Sequence, residues 1–317
     1  MKETIFFVLA VLFFLISHLD ATERPIIGIL TQEPCLGVDK HFADFKSYIP
    51  ASYVKAIEAS GARVAPIFIG NQEVYYRKIL SQVNGVMIPG GGASFYAEDG
   101  YAKAGAMIYK IAKEFNENRD YFPVMGICLG FQLLLYTSNN ENELRTRCDC
   151  FYENLALEFM PSFRQSLLYS RAPIHVLQEL ATSHITHNWH MWCITPSNFT
   201  DNGLAKEWKV LSTNSNNRGL KFISSVEHKV YPFAGIQFHP EKNAYEWKLT
   251  QDNPHTRIAI ENARYFFDWL VSQASGSHHS FETEEEEKAA LIYNYCPEYT
   301  AYIPGIGYDQ TYLFKNV

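Results

Sequence analysis

The sequence predicts an α/β protein: a doubly wound, mostly parallel sheet with helices on both faces. Three observations predict it. Pro25–Leu30, Arg63–Phe68, Val86–Ile88 and the run leading to Cys128 are apolar throughout rather than alternating, as strands buried on both faces are. Between them lie stretches with apolar residues at helical spacing, so strand and helix succeed one another four times. The last strand enters Gly126-Ile-Cys128-Leu-Gly130, the cysteine version of the nucleophile elbow, in which a strand turns sharply into a helix.

Composition sets the bounds. A chain of 317 residues that is 47% hydrophobic and 15% aromatic can bury a large core, and one large domain with appendages fits that length. The net charge of −7 argues against a nucleic-acid-binding surface and gives no polybasic membrane anchor. Residues 1–21 carry Lys2, an apolar stretch from Ile5 to Ile16 and then small and polar residues, which is the pattern of a secretory signal peptide. That stretch is short of the roughly 20 apolar residues a spanning helix needs, and no other stretch comes close. The expected working protein is therefore 22–317, with 275–317 as a C-terminal extension. Behind a signal peptide, the sequon Asn198-Phe-Thr200 points to glycosylation of Asn198. Six cysteines in so long a chain do not make a disulfide scaffold. With Cys128 free, at least one of Cys35, Cys148, Cys150, Cys193 and Cys296 stays unpaired or bridges chains. Cys148 and Cys150 lie too close in sequence for an easy mutual bridge.

Taken in order, Pro25–Leu30 is the first parallel strand. Ala51, Val54 and Ile57 mark a helix ending before Gly61, and Arg63–Phe68 is the next strand. Asn71 is suited to cap a helix reaching Val83. The strand Val86–Ile88 ends in Pro89-Gly90-Gly91-Gly92, and a helix from about Tyr101 to Phe115 precedes the elbow. From Cys148 to about Arg171 the periodicity is weak, and irregular structure or hairpins are expected. His184 to Trp192, rich in His and Trp, is expected to be a substrate-contacting loop; no carboxylate or Cys stands at a metal-binding spacing, so no metal is expected. Lys209–Thr213 and Lys221–Val226 are strands around a turn-rich segment. Ala259, Ala263, Phe266 and Leu270 mark a helix face that closes the domain. Glu284 to Glu287 begin a solvated helix, and the tail from Ala289, with six tyrosines, either folds back or covers a partner chain.

Three segments carry chemistry. Small residues on both sides of Cys128 let the chain turn tightly enough to present its side chain, and the helix N-terminus beyond it favours a thiolate. The glycines after Pro89 let backbone N–H groups approach a ligand closely, so an oxyanion is expected between the N–H of Leu129 and that of Gly91. In Gln237-Phe-His239-Pro-Glu241, an extended backbone would put the Glu241 carboxylate near the His239 ring, the base and orienter a thiol nucleophile needs.

In that order, Pro89-Gly-Gly, Gly126-Ile-Cys128-Leu-Gly130-Phe-Gln and Gln237-Phe-His239-Pro-Glu241 resemble the class I glutamine amidotransferase-like superfamily. Ala51-Ser-Tyr-Val-Lys55, Gly61-Ala-Arg-Val64, Asn188-Trp-His190-Met-Trp192 and His239 to Trp247 are similar to segments of its gamma-glutamyl hydrolase family, over nearly the whole chain after the leader. The resemblance implies that Cys128 is the nucleophile, His239 the base and His190 a second histidine near the substrate, with Trp192 and Gly92 also at the substrate. It implies cleavage of folylpoly-gamma-glutamates through a thioester without a cofactor, a homodimer, and a lysosomal or secreted location. Gly92 extends the usual glycine pair, and Leu129 after the cysteine differs from the branch with Cys-His at the elbow. Trp189, Trp192 and Tyr245 are candidates to stack on a pterin. Two other functions share these residues: a glutamine amidase feeding a synthetase, and a secreted binding protein with an inactive site.

Overall fold

The structure is a computed structural model that describes residues 22–35 and 37–315; the expected signal peptide, 1–21, lies outside the described residues. The chain begins with strand β1 (Ile26–Leu30), a turn of helix α1 (Val38–His41), β2 (Ser47–Pro50), α2 (Ala51–Ala59), β3 (Arg63–Ile67), α3 (Glu73–Leu80), β4 (Gly85–Ile88) and α4 (Tyr101–Glu117). Next come β5 (Val124–Ile127), α5 (Leu129–Ser138), β6 (Thr146–Leu155), β7 (Glu158–Phe159), α6 (Ile174–Thr182), β8 (Thr186–Cys193) and α7 (Pro196–Asp201). It closes with β9 (Trp208–Ser215), β10 (Lys221–His228), β11 (Phe233–Ile236), α8 (Lys242–Tyr245), α9 (Arg257–Ala274), α10 (Glu284–Ala290), β12 (Glu298–Tyr299) and β13 (Gln310–Phe314).

The main sheet has eight strands in the order β3-β1-β4-β5-β11-β10-β9-β7. The first five run parallel, and β10, β9 and β7 extend the sheet antiparallel. Side chains alternate along β1 between the two faces: Ile26 and Leu30 join one core, Ile27 and Ile29 the other. The first core is closed by Leu80 of α3, Ile108 of α4 and Leu134 of α5, the second by Ile57 of α2, Leu177 of α6 and Phe266 of α9. The expected doubly wound sheet is the observed one. Its antiparallel extension comes from the hairpin-like turn between β9 and β10, which needs no crossover helix.

Three local expectations are corrected. Asn71 does not cap its helix; its amide donates to the carbonyls of Phe68 and Ile69, so it ties off the preceding turn, and α3 begins after Gln72. The segment 184–192 is mostly strand rather than loop, because β8 finds its partner in β6, which crosses the region expected to be irregular. β6 looked aperiodic because its register with β8 is broken twice, with Asp149 and Tyr152 at positive φ of 46° and 59°. The Glu284 to Glu287 run does start a helix, capped by Thr283, whose side chain accepts from the N–H of Glu286.

The tail folds back on its own chain. β13 pairs antiparallel with β2, and Tyr308 is buried. Fully buried Lys242 holds the return: its ammonium group donates to the Gly307 carbonyl at 3.4 Å and to Gln251 at 3.3 Å, and it lies 4.7 Å and 5.2 Å from the ring centres of Trp189 and Tyr308.

The elbow depends on two close backbone approaches. A Cβ on Gly130 would sit 2.0 Å from the Ile88 carbonyl oxygen on β4, and one on Gly126 would sit 2.5 Å from the Gly130 oxygen. Both contacts are with backbone, which cannot swing aside. Gly130→Ala should therefore destabilise the fold by about 3 kcal/mol, read as a lower urea midpoint with an unchanged slope. A native midpoint would show that α5 can lift away from β4.

Candidate active site

Cys128 stands between β5 and α5 with φ 51° and ψ −103°, a conformation that a non-glycine residue adopts only when its surroundings enforce it. Here the enforcement is the backbone contact of Gly130 with Ile88 together with the Cys128 N–H, which donates to the Ile236 carbonyl of β11 at 2.7 Å. The strain turns the thiol out over the carboxyl ends of β4, β5 and β11, into a cavity of about 520 Å³. Leu129 is the first residue of α5, so its N–H has no intrahelical acceptor.

The loop after β4 forms the opposite wall. A Cβ on Gly90 would lie 3.1 Å from the Cys128 Cβ and 2.8 Å from the His239 ring, so the loop can pass between them only as glycine. Its backbone is fixed from behind. The Gly90 N–H donates to the Tyr53 hydroxyl at 2.9 Å, and the Gly90 carbonyl accepts from the Gln32 amide at 2.9 Å. Gly91 is wedged against the same Gln32 side chain, and its N–H has no backbone acceptor among the described residues.

His239 follows β11, and its N–H donates to the His187 carbonyl of β8 at 2.8 Å. Its Nδ1 donates to Glu241 Oε1 at 2.7 Å, with the carboxylate fully buried. The contact expected from an extended backbone is present, but a turn makes it: Glu241 is already helical at the start of α8. A carboxylate only accepts, so Nδ1 carries a proton toward Glu241, and Nε2 is the nitrogen that exchanges the other proton with the thiol. Nε2 is buried and has no hydrogen-bond partner among the described residues. Burial alone would lower the imidazole; the neighbouring Cys128 and Glu241 outweigh it and hold it up, to about 10.

Of the residues singled out in the sequence, Cys128, Leu129, Gly91, Gly92, His190, Trp192 and His239 line this one cavity, and Glu241 stands behind His239. Trp189 lines it too, whereas Tyr245 lies away from it among Ala56, Pro240 and Arg264. Both ring nitrogens of His190 are engaged within the chain, Nε2 with Asn188 Oδ1 at 3.2 Å and Nδ1 with Cys148 Sγ at 3.4 Å. The free Cys193 thiol beside it and His190 together outweigh burial and hold the Cys148 thiol below its usual range. Asn198 lies on α7, and its amide nitrogen donates to the Leu144 carbonyl at 2.7 Å and to Thr146 Oγ1 at 2.8 Å. Reasoning from the sequence missed Gln32, Glu143, Arg145 and Tyr308, which reach the site from distant segments with no motif around them, and gave Tyr53, inside the Ala51–Lys55 segment, no role there.

The Peptidase C26 family matches residues 25–241, a span that contains Cys128, His239 and Glu241. The chain belongs to the peptidase C26 family. Among curated proteins it is 38% identical to gamma-glutamyl hydrolase of Rattus norvegicus, over 94% of this chain and 92% of that one. It is 37% identical to gamma-glutamyl hydrolase of Homo sapiens, over 94% and 92% of the two chains, and 37% identical to gamma-glutamyl hydrolase 1 of Arabidopsis thaliana, over 92% and 83%. As a member of the peptidase C26 family, the protein is a cysteine-peptidase-type hydrolase.

The His239 shift sets a pH test. A raised imidazole keeps its proton up to about pH 10 and loses it above, so turnover that needs the imidazolium should fall along an alkaline limb there. Glu241→Gln removes an anion in contact with the ring and should move that limb to lower pH by about one unit or more. A limb at the native position in the variant would show that Glu241 does not set the charge of His239.

Proposed function

We propose that the cleft hydrolyses γ-glutamyl amide bonds through a thioester on Cys128, and that its substrates are folates carrying poly-γ-glutamate tails. The observation that carries the reading is the strained Cys128 at the mouth of the cleft beside a buried His239–Glu241 pair, and the names of the curated relatives support it.

The chemistry follows from the positions. His239 holds the proton given up by the thiol, as an imidazolium paired with Glu241, and the Cys128 sulfur attacks the γ-carbonyl carbon. The oxyanion forms between the N–H groups of Leu129 and Gly91, each such donor worth about 3 kcal/mol of barrier. His239 then returns its proton to the nitrogen of the departing glutamate as the C–N bond breaks. Water, deprotonated by His239, attacks the thioester and frees Cys128. No step calls for a metal or organic cofactor. The cavity of about 520 Å³ suits a small-molecule substrate, and the exposed Trp192 offers a face for a pterin or the arene beside it, whereas the Trp189 ring already has Tyr152 and Lys242 against it.

The same reading includes a homodimer and a route through the secretory pathway to the lysosome or the exterior, supported by the leader-like composition of residues 1–21 and by the family resemblance. Glycosylation of Asn198 would have to give up at least one of its two amide hydrogen bonds. Among the described residues no helix is long and apolar enough to cross a membrane.

Glutamine presents the same γ-carboxamide to Cys128, so discrimination rests on the leaving portion. The value of kcat/KM for pteroyl-pentaglutamate should exceed that for free glutamine by at least about a hundredfold. A ratio near one would replace this reading with a glutamine amidase.

A further inference from the structure

Arg145 is the one lysine or arginine among the residues lining the cleft, and the proposed bond-breaking steps do not use it. Its guanidinium is fixed on one edge and one face. Nε and Nη2 fork onto the Glu143 carboxylate at 2.9 and 2.6 Å, and the group lies 3.9 Å from the centre of the Phe95 ring and 5.8 Å from that of Trp192. The side chain is only 9% exposed.

Glu143 does not cancel this charge as seen from the cleft, because its oxygens are already taken. Oε1 accepts from the N–H groups of Leu144 and Arg145 and from Arg145 Nε; Oε2 accepts from Arg145 Nη2 and from the Tyr96 hydroxyl at 2.7 Å. Burial works against its ionisation, but Arg145 and Tyr96 outweigh burial and keep the carboxyl at about 2. Glu143 therefore acts as an anchor. Arg145 Nη1 has no partner among the described residues, so two N–H donors of a rigid cation remain for a ligand. His190 cannot compete for that role while Asn188 and Cys148 occupy both its nitrogens.

We propose that Arg145 determines specificity by binding an α-carboxylate of the γ-linked glutamyl chain through its free Nη1 edge. The inference rests on the γ-glutamyl hydrolase reading and deepens it. Every residue of a γ-linked chain keeps a free α-carboxylate, whereas an α-linked peptide spends it on the backbone amide. A preorganised guanidinium among aromatic walls thus tells the two linkages apart, and tells a glutamyl chain from an uncharged γ-amide.

The test compares native protein, Arg145→Met and Arg145→Lys on 4-aminobenzoyl-γ-glutamyl-glutamate and two analogues, one with the internal α-carboxylate converted to carboxamide and one with the terminal α-carboxylate so converted. In the native protein one of the carboxamides should raise KM by about tenfold or more. Arg145→Met should show that raised KM on the parent substrate and no further rise on the same carboxamide, with kcat within about threefold of native. Arg145→Lys keeps the charge without the fork onto Glu143, so its KM should fall between the two, and it answers the same question should Arg145→Met not fold. An effect confined to the internal carboxamide puts Arg145 on the acyl side; one confined to the terminal carboxamide puts it on the leaving side. Equal KM for all three substrates in the native protein overturns the proposal. So does a native carboxamide penalty that persists in Arg145→Met, or in Arg145→Lys with a native KM on the parent. A native protein that leaves the parent uncleaved overturns the hydrolase reading itself, a separate result.

Discussion

The backbone contact between Gly130 and the Ile88 carbonyl is the constraint on which the site depends. It brings the first turn of α5 down onto β4, which is possible only without a side chain at position 130. With both ends held in this way, Cys128 has no room for an ordinary conformation and takes a positive φ. The cost of such a conformation, roughly 1–3 kcal/mol, is met by the core around it, where Ile127 and Phe131 are fully buried. The same contact places the Leu129 N–H and the N-terminal end of α5 beside the thiol.

The remaining parts are attached to this point by hydrogen bonds from several layers. Tyr53 on α2 and Gln32 after β1 hold the glycine loop from behind, and the Tyr53 hydroxyl also lies 3.4 Å from His239 Nδ1. His187 on β8 holds the backbone of His239, and Lys242, next to Glu241, binds the returning tail. The tail, β8 and the turn from His239 to Lys242 thus share one buried polar network. Such a network is expensive to leave half made, which gives the distant C-terminal residues a stake in the geometry of the cleft.

What could be read from the sequence was what local rules encode. The strands buried on both faces announced themselves by apolar runs, the elbow by two glycines around a cysteine, and the His239–Glu241 pair by its spacing, although a turn rather than a strand brings the two together. What could not be read was set by long-range pairing. β6 and β8 find each other across more than thirty residues and a broken register, so neither shows clean alternation. Arg145 and Glu143 lie beyond the end of α5 in a segment without a motif, and Tyr308 arrives from the tail through β13. The Asn71 cap failed because an asparagine amide can also serve the turn before a helix, and here two carbonyls were nearer.

The central claim is that the strained thiol of Cys128 is the atom that attacks. Mixing the protein with excess 4-aminobenzoyl-γ-glutamyl-glutamate, quenching with acid within milliseconds and digesting it for mass spectrometry reads this directly. The account predicts that the peptide containing Cys128 gains the mass of the 4-aminobenzoyl-glutamyl group, that hydroxylamine removes it, and that the other cysteines stay unmodified. Complete turnover with the adduct on another residue, or with water-derived oxygen entering the product while Cys128 is blocked by alkylation, would contradict it.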